Sequence, residues 1–327
     1  MADVFVLVVG ECLVDLAPAG EARQGIAGKS YVALPGGSPA NVAVGLARLG
    51  VRTGFAGRFS AEGFGPWLRQ HLSSNGVDLS TSVDATEPAT LAVVTLDAAG
   101  RASYTFYGPE TADWRWSAGE LPVPRGFAAV HSGSLATTFE PGASVLAKWL
   151  EAVRDSGDAV VSFDPNVRAG LVADLTAYRD RLERLVACAH IVKASDDDLA
   201  VAYPGSAVEK VAESWLSGGA ALVVVTEGPR GARAFHASGA QASCVPPAVE
   251  VADTIGAGDT FSASLLAYLA SAGALTPEGV ASLGSEELER AIGYAVAASA
   301  FTCTRPGADP PTARELATFC EAVVPRS

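Results

Sequence analysis

Cysteine is scarce and unpaired in this chain. Cys12, Cys188, Cys244, Cys303 and Cys320 are scattered, with no CxxC pair and an odd total, so neither a disulfide framework nor a zinc site is suggested. A reducing, cytoplasmic setting fits that usage. Basic residues are in deficit, 23 against 36 acidic ones, and a formal charge of -13 argues against a nucleic-acid surface, which needs basic patches to displace counterions. No run approaches the ~20 apolar residues of a membrane span. The apolar start at 4–9 is flanked by Asp3 and Glu11 and lacks the basic region and cleavage site of an export signal. Neither a membrane nor a nucleic-acid partner is therefore expected. There is no GxxxxGK[ST] loop, and no glycine-rich dinucleotide fingerprint follows the first apolar run. His71, His131, His190 and His236 stand apart, none at ligand spacing with another His or Cys, and read as structural or surface residues.

With 327 residues and 49% apolar content, the chain is long enough to bury a sizeable core. Short apolar runs at 4–9, 128–131, 159–163, 191–193 and 222–225 each end in polar or glycine residues. They read as buried parallel strands whose carboxyl ends meet a cleft. Segments with helical spacing at 141–154, 177–187 and 208–216 lie between them, which is the alternation of an α/β fold. Two stretches break it: residues 12–35, glycine-rich and partly extended, and 89–113, with a hairpin whose turn falls at 97–100. Together they suit a small separate sheet, a candidate lid, although surface excursions of the main sheet would account for the same pattern. No repeat, low-complexity tract or linker divides the chain, so 1–327 reads as one domain.

The most informative stretch is DTIGAGD at 253–259, followed by residues of helical composition. Glycines at the mouth of a helix let backbone N–H groups converge where the helix dipole adds positive potential, which makes an anion site. A carboxylate inside such a cradle would repel phosphate unless it serves another atom. Its natural task is to take a proton from an attacking hydroxyl, while the amides of Gly256, Ala257 and Gly258 stabilise a transferred phosphoryl group. The plainer account is a tight turn followed by an ordinary N-terminal helix acid at Asp259. Earlier in the chain, Gly36 and Gly37 precede a helix from near Pro39 to Gly50, where backbone can approach a ligand closely. Asn41, both donor and acceptor, suits a vicinal diol.

These two segments resemble the signatures of the PfkB or ribokinase-like sugar kinases: GGSPANVA at 36–43 the first, DTIGAGD the second, in the expected order, with similarity along nearly the whole chain. The resemblance implies an α/β fold of ribokinase-like type, a three-layer α/β/α sandwich with a small β-sheet lid. It implies ATP as phosphoryl donor, Mg2+ as divalent cation, Asp259 as base, Gly256 to Gly258 as anion hole, and a homodimer through the lid sheets. Asp15, alone a solvated loop acid, becomes by the resemblance an acceptor for sugar hydroxyls.

DPNVR at 164–168 resembles a segment of fructokinase-like members, and Arg168 is suited to a phosphate or an acidic sugar, or to a structural salt bridge. KASDDD at 193–198 aligns with the region that helps hold hydrated magnesium. Lys193 and Ser195 fall on the nucleotide side and Asp198 on the metal side, with Ser195 and Asp198 replacing the family's Asn and Glu; first-turn helix acids would look the same. TEGPRGA at 226–232 resembles the nucleotide loop, with Thr226, Gly228 and Gly231 beside ATP, and equally fits a hairpin turn. TRPGA at 304–308 resembles the loop flanking adenine, and with Asp253 it is a candidate to hold a monovalent cation such as K+.

The expected reaction is ATP + sugar giving ADP + sugar phosphate, with fructose first among acceptors. 2-Keto-3-deoxygluconate, ribose and nucleosides are the alternatives. A non-catalytic sugar- or nucleotide-binding regulator is the rival from another class.

Overall fold

The computed structural model describes residues 4–19, 29–96 and 102–323. The hairpin turn expected at 97–100 lies outside them. The strands in chain order are β1 (Phe5–Val9), β2 (Leu13–Pro18), β3 (Tyr31–Gly36), β4 (Arg52–Ala56), β5 (Arg58–Ser60), β6 (Val83–Ala85), β7 (Leu91–Leu96), β8 (Ala102–Tyr107), β9 (Ala129–Gly133), β10 (Val160–Asp164), β11 (Ile191–Ser195), β12 (Leu222–Thr226), β13 (Ala232–His236) and β14 (Gln241–Cys244). The helices are α1 (Ser38–Arg48), α2 (Gly65–Ser74), α3 (Gly142–Ser156), α4 (Leu175–Cys188), α5 (Asp196–Ala202), α6 (Val208–Ser217), α7 (Ala257–Ser271), α8 (Pro277–Ala281), α9 (Ser285–Cys303) and α10 (Ala313–Val323).

Each apolar run expected to be a buried strand is one: β1, β9, β10, β11 and β12 lie parallel in an eight-stranded sheet ordered β14-β13-β12-β11-β10-β9-β1-β4. Their continuous hydrophobicity follows from burial on both faces. Val6 and Val8 pack on the side of α1, α2, α7 and α9, and Leu7 and Val9 on the side of α3, α4 and α6. Three layers result. The chain leaves β1 towards β4 on one side and later returns to β9 on the other, so strand order reverses between β1 and β9. Open α/β sheets bind ligands outside the carboxyl ends of their strands at such a reversal.

The two stretches that broke the alternation form a second sheet, ordered β3-β2-β7-β8, which stands over that end of the main sheet. In its register Asp15 lies opposite Leu34 and Ala92, and Ala92 opposite Phe106, so these side chains share one face. Leu13, Asp15, Tyr104 and Phe106 line the crevice beneath. Trp114 and Trp116, which follow β8, are buried core residues packed with α3. Buried polar bonds fasten the lid to the core: Asp113 accepts from the Cys12 N–H at 2.9 Å and from the Thr90 hydroxyl at 2.5 Å.

Candidate active site

A cavity of about 550 Å³ opens between the lid and the carboxyl ends of the strands. Asp259 lies at its floor in the first turn of α7, only 9% exposed. Gly256 caps this helix in the left-handed region, φ 75°, and a Cβ there would stand 2.6 Å from that of Ala308. Glycine is therefore required by both backbone and space. Among the described residues, the N–H groups of Gly256, Gly258 and Asp259 have no protein acceptor, whereas that of Ala257 donates to Thr254 O at 3.3 Å. The unengaged amides are thus not the three expected: Ala257 is partly committed, and Asp259 contributes its own.

The carboxylate of Asp259 is held on both oxygens. Ser38 Oγ donates to Oδ1 at 2.6 Å and Asn41 Nδ2 to Oδ2 at 2.8 Å. Both donors come from α1, whose first turn is set by Gly37 at φ 101°, where a Cβ would stand 2.5 Å from Glu11 O. Burial raises the Asp259 pKa, the hydrogen bonds from Ser38 and Asn41 pull it back, Asp164 raises it and Lys193 lowers it. Asn41, expected to serve a diol, thus makes its bond to the carboxylate. Ser38 was missed, since a serine opening a helix reads as a local cap.

Across the cavity, Asp15 has its pKa raised to about 6, chiefly by burial, with Arg168 opposing and Asp259 adding to the rise. A Cβ on Gly36 would overlap the Asp15 carboxylate, so this glycine makes room for the acid. Arg168 also lines the cavity. It donates to Asn166 Oδ1 at 2.6 Å, and no ion pair of its own is found among the described residues.

Lys193, 6% exposed, pairs with buried Asp164 at 2.9 Å, and its Nζ would lie 2.9 Å from a Cβ on Gly258. Burial alone would lower the Lys193 pKa, but Asp164 and Asp198 outweigh it and the net shift is upward. The ammonium therefore stays charged beside the amide cradle.

Asp198 departs from expectation. Its Oδ2 accepts from the Ser195 N–H at 2.8 Å and the Ser195 hydroxyl at 2.7 Å, closing a capping box on α5, and its Oδ1 takes the Val167 N–H at 2.6 Å. Both oxygens are spent on protein donors, and Asp197 faces the cavity instead. Ser195 is likewise occupied by its cap. Among the described residues no group of three or more His, Cys, Asp or Glu could cage a metal.

Thr226 ends β12, and Gly228 and Gly231 sit in the β12–β13 connection; none of the three lines the cavity. Gly231, φ 95°, has the Cys244 carbonyl where a Cβ would be. Asp253 accepts from the N–H groups of Thr254 at 2.7 Å, Ile255 at 3.1 Å and Gly307 at 2.8 Å, tying the cradle to the loop at 304–308. Its carboxylate is committed to these amides, so any cation here would fall to main-chain carbonyls.

Glu11 was also missed. Fully buried where strand order reverses, it accepts from Ala136 N–H at 3.0 Å through Oε2. Burial pushes its pKa up to about 7. Its position right after the first strand was the only sequence signal.

Residues 4–314 match the pfkB family carbohydrate kinases. The chain belongs to that family. This kinase is 38% identical over 283 residues to the fructokinase of Klebsiella pneumoniae, covering 85% of this chain and 88% of the relative. Among solved structures it is similar to a fructokinase with bound ATP from Xylella fastidiosa, at TM-score 0.87 and 26% identity, covering 97% of this chain and 98% of that one. It is also similar to a double mutant of fructokinase from Vibrio cholerae O395 in a fructose-, ADP- and potassium-bound form, at TM-score 0.80 and 29% identity, with 98% of both chains covered. Among the described residues no helix is long and apolar enough to cross a membrane.

Proposed function

We propose that this kinase transfers the γ-phosphoryl group of ATP to a primary hydroxyl of fructose. The observation that carries the reading is the Asp259 carboxylate on the floor of a sugar-sized cavity, beside unengaged helix-start amides and the Lys193 ammonium. Asp15 on the lid and Asn41 on α1 accept and donate to sugar hydroxyls from opposite walls, and Arg168 closes a third side. The acceptor oxygen attacks the γ-phosphorus, its proton passes to Asp259, and the bond to the bridging oxygen of ATP breaks with its electron pair leaving on ADP. Charge developing on the migrating group meets the amides of Gly256 and Gly258, with Ala257 joining if its weak turn bond opens. The lid limits the access of water, which would otherwise compete as acceptor.

ATP enters with magnesium as its companion and lies along the β12–β13 connection, with Gly228 and Gly231 allowing backbone approach and Thr226 at the strand end. Asp197 is the acid on hand for the ion's waters. Fructose as acceptor is supported by three relatives 38%, 34% and 35% identical to this chain, each a fructokinase. A potassium ion bound by carbonyls near Asp253 is consistent with the ligand of the Vibrio cholerae protein.

ADP release over a panel of fructose, ribose, nucleosides and 2-keto-3-deoxygluconate, with ATP and magnesium and with or without potassium, tests all of this. Fructose is expected to give the highest kcat/KM. Turnover confined to another sugar would move the substrate assignment, and tight binding with no turnover would point to a regulator.

A further inference from the structure

We propose that Glu11 is a positioning residue for the acceptor, its side chain holding the turn at Ser134 to Ala136 in the shape that forms one wall of the sugar cavity. This rests on the kinase reading above and names what fixes the fit of the sugar at that same site.

Glu11 follows β1 at the point where three walls of the cavity meet. The chain runs on from it into β2, which brings Leu13 and Asp15 to the lid side. The start of α1 packs against its carbonyl, since a Cβ on Gly37 would lie 2.5 Å from Glu11 O. Its side chain serves the third wall, the turn after β9. Glu11 Oε2 accepts from the Ala136 N–H at 3.0 Å. Burial raises the pKa of this carboxyl to about 7, and the Ser134 side chain beside it opposes the rise. That turn is under strain. Ser134 has φ 55°, a left-handed backbone that a residue with a Cβ adopts only where its surroundings impose it. On the side away from Glu11, a Cβ on Gly133 would fall 1.9 Å from Asp164 O, so the chain is pressed against the end of β10, from which Asn166 and Arg168 enter the cavity. Within the turn, Thr137 Oγ1 donates to Ser134 O at 2.8 Å. Ser134 and Leu135, 3% and 4% exposed, line the cavity. A strained backbone at a ligand wall, with a buried acid committed to one of its amides, is the arrangement that holds a bound molecule in one pose. The nucleotide loop between β12 and β13 is a separate segment, so loosening this turn acts on the sugar and not on ATP.

The test measures steady-state ADP release from wild type, Glu11→Leu, Glu11→Gln and Ser134→Gly, with fructose and ATP varied in turn, alongside urea unfolding. In Glu11→Leu the Ala136 N–H loses its acceptor and the turn relaxes. Fructose KM is then expected to rise about tenfold, while ATP KM stays within about twofold of wild type. Glu11→Gln keeps an acceptor oxygen for that N–H and should retain the wild-type fructose KM. Ser134→Gly takes φ 55° without strain, so its urea midpoint should equal or exceed that of wild type. With the wall loosened, its fructose KM should nevertheless rise about tenfold, a combination that loss of fold does not produce. A Glu11→Leu or Ser134→Gly protein with the wild-type fructose KM overturns the inference while leaving the kinase standing. So does a rise in ATP KM equal to the rise in fructose KM, or a glutamine variant no better than leucine. Should Glu11→Leu not fold, Ser134→Gly and Glu11→Gln supply the decisive readouts. A wild type inert towards every sugar would instead overturn the kinase reading, and this inference with it.

Discussion

The environment of Asp259 makes a specific demand on pH. Burial and the nearby Asp164 charge hold its proton more tightly than in a solvated aspartate, so the base becomes available only above the ordinary range of ~3.9. Asp259→Asn keeps the size and one acceptor but cannot take a proton. It should lower kcat about 10²–10⁴-fold with ATP binding little changed, measured by steady-state ADP release and nucleotide titration. Glu11 makes a different demand, on stability. Its folded pKa, about 7 against an ordinary 4.5, means that the folded state binds the proton more tightly than the unfolded chain. An acid raised in this way costs stability as pH climbs from the unfolded value through the folded one, because the buried carboxyl must then ionise. Glu11→Gln should remove that loss, flattening the decline in unfolding free energy between pH 5 and 7.5 by roughly 2–3 kcal/mol in urea titrations.

At the scale of elements, the site is assembled from helix starts and strand ends that approach closely only because some positions lack a Cβ. The cap of α7 is the sharpest instance, Gly256 combining a left-handed backbone with contact against Ala308. Gly256→Ala is expected to cost about 1–3 kcal/mol in chemical denaturation. Because the displaced turn carries the amides and Asp259 together, kcat should fall by more than tenfold. The pair between β10 and β11 presents the opposite case, where a side chain must be present. Lys193→Met would leave Asp164, 1% exposed, without its counter-charge, and a loss of about 3–5 kcal/mol is expected. Adding Asp164→Leu should restore much of that stability without restoring turnover, which separates the structural role of the pair from its place in the site.

For the molecule as a whole, the lid has a face that the described residues leave uncovered. Val32, Leu34 and Tyr104 lie on the same side of the lid sheet as Asp15 and remain 48%, 38% and 39% exposed. We propose that a second copy covers this face, as the family resemblance implied, since a partner's lid would bury apolar surface and help close the cavity. Sedimentation should then show a dimer, and Val32→Asp should shift it to monomer while raising sugar KM more than ATP KM. A wild-type monomer at micromolar concentration would end that proposal.

What the sequence by itself determined was everything carried by local pattern. Strands buried on both faces must be apolar without interruption, so β1, β9, β10, β11 and β12 were legible as runs. A glycine-flanked acid opening a helix placed Asp259 and its cradle. The off-pattern stretches marked out the lid. The tertiary structure alone decided which partner each polar group meets. Ser38 bonds a carboxylate 221 residues away, Asp198 turns inward to cap α5 and clamp Val167, and Glu11 is buried at the edge of the cavity where strand order reverses. The bond from Ser38 to Asp259 and that from Val167 to Asp198 left no mark on nearby sequence, because a short polar side chain bonds whichever donor or acceptor packing brings within about 3 Å, and packing is a property of the assembled layers.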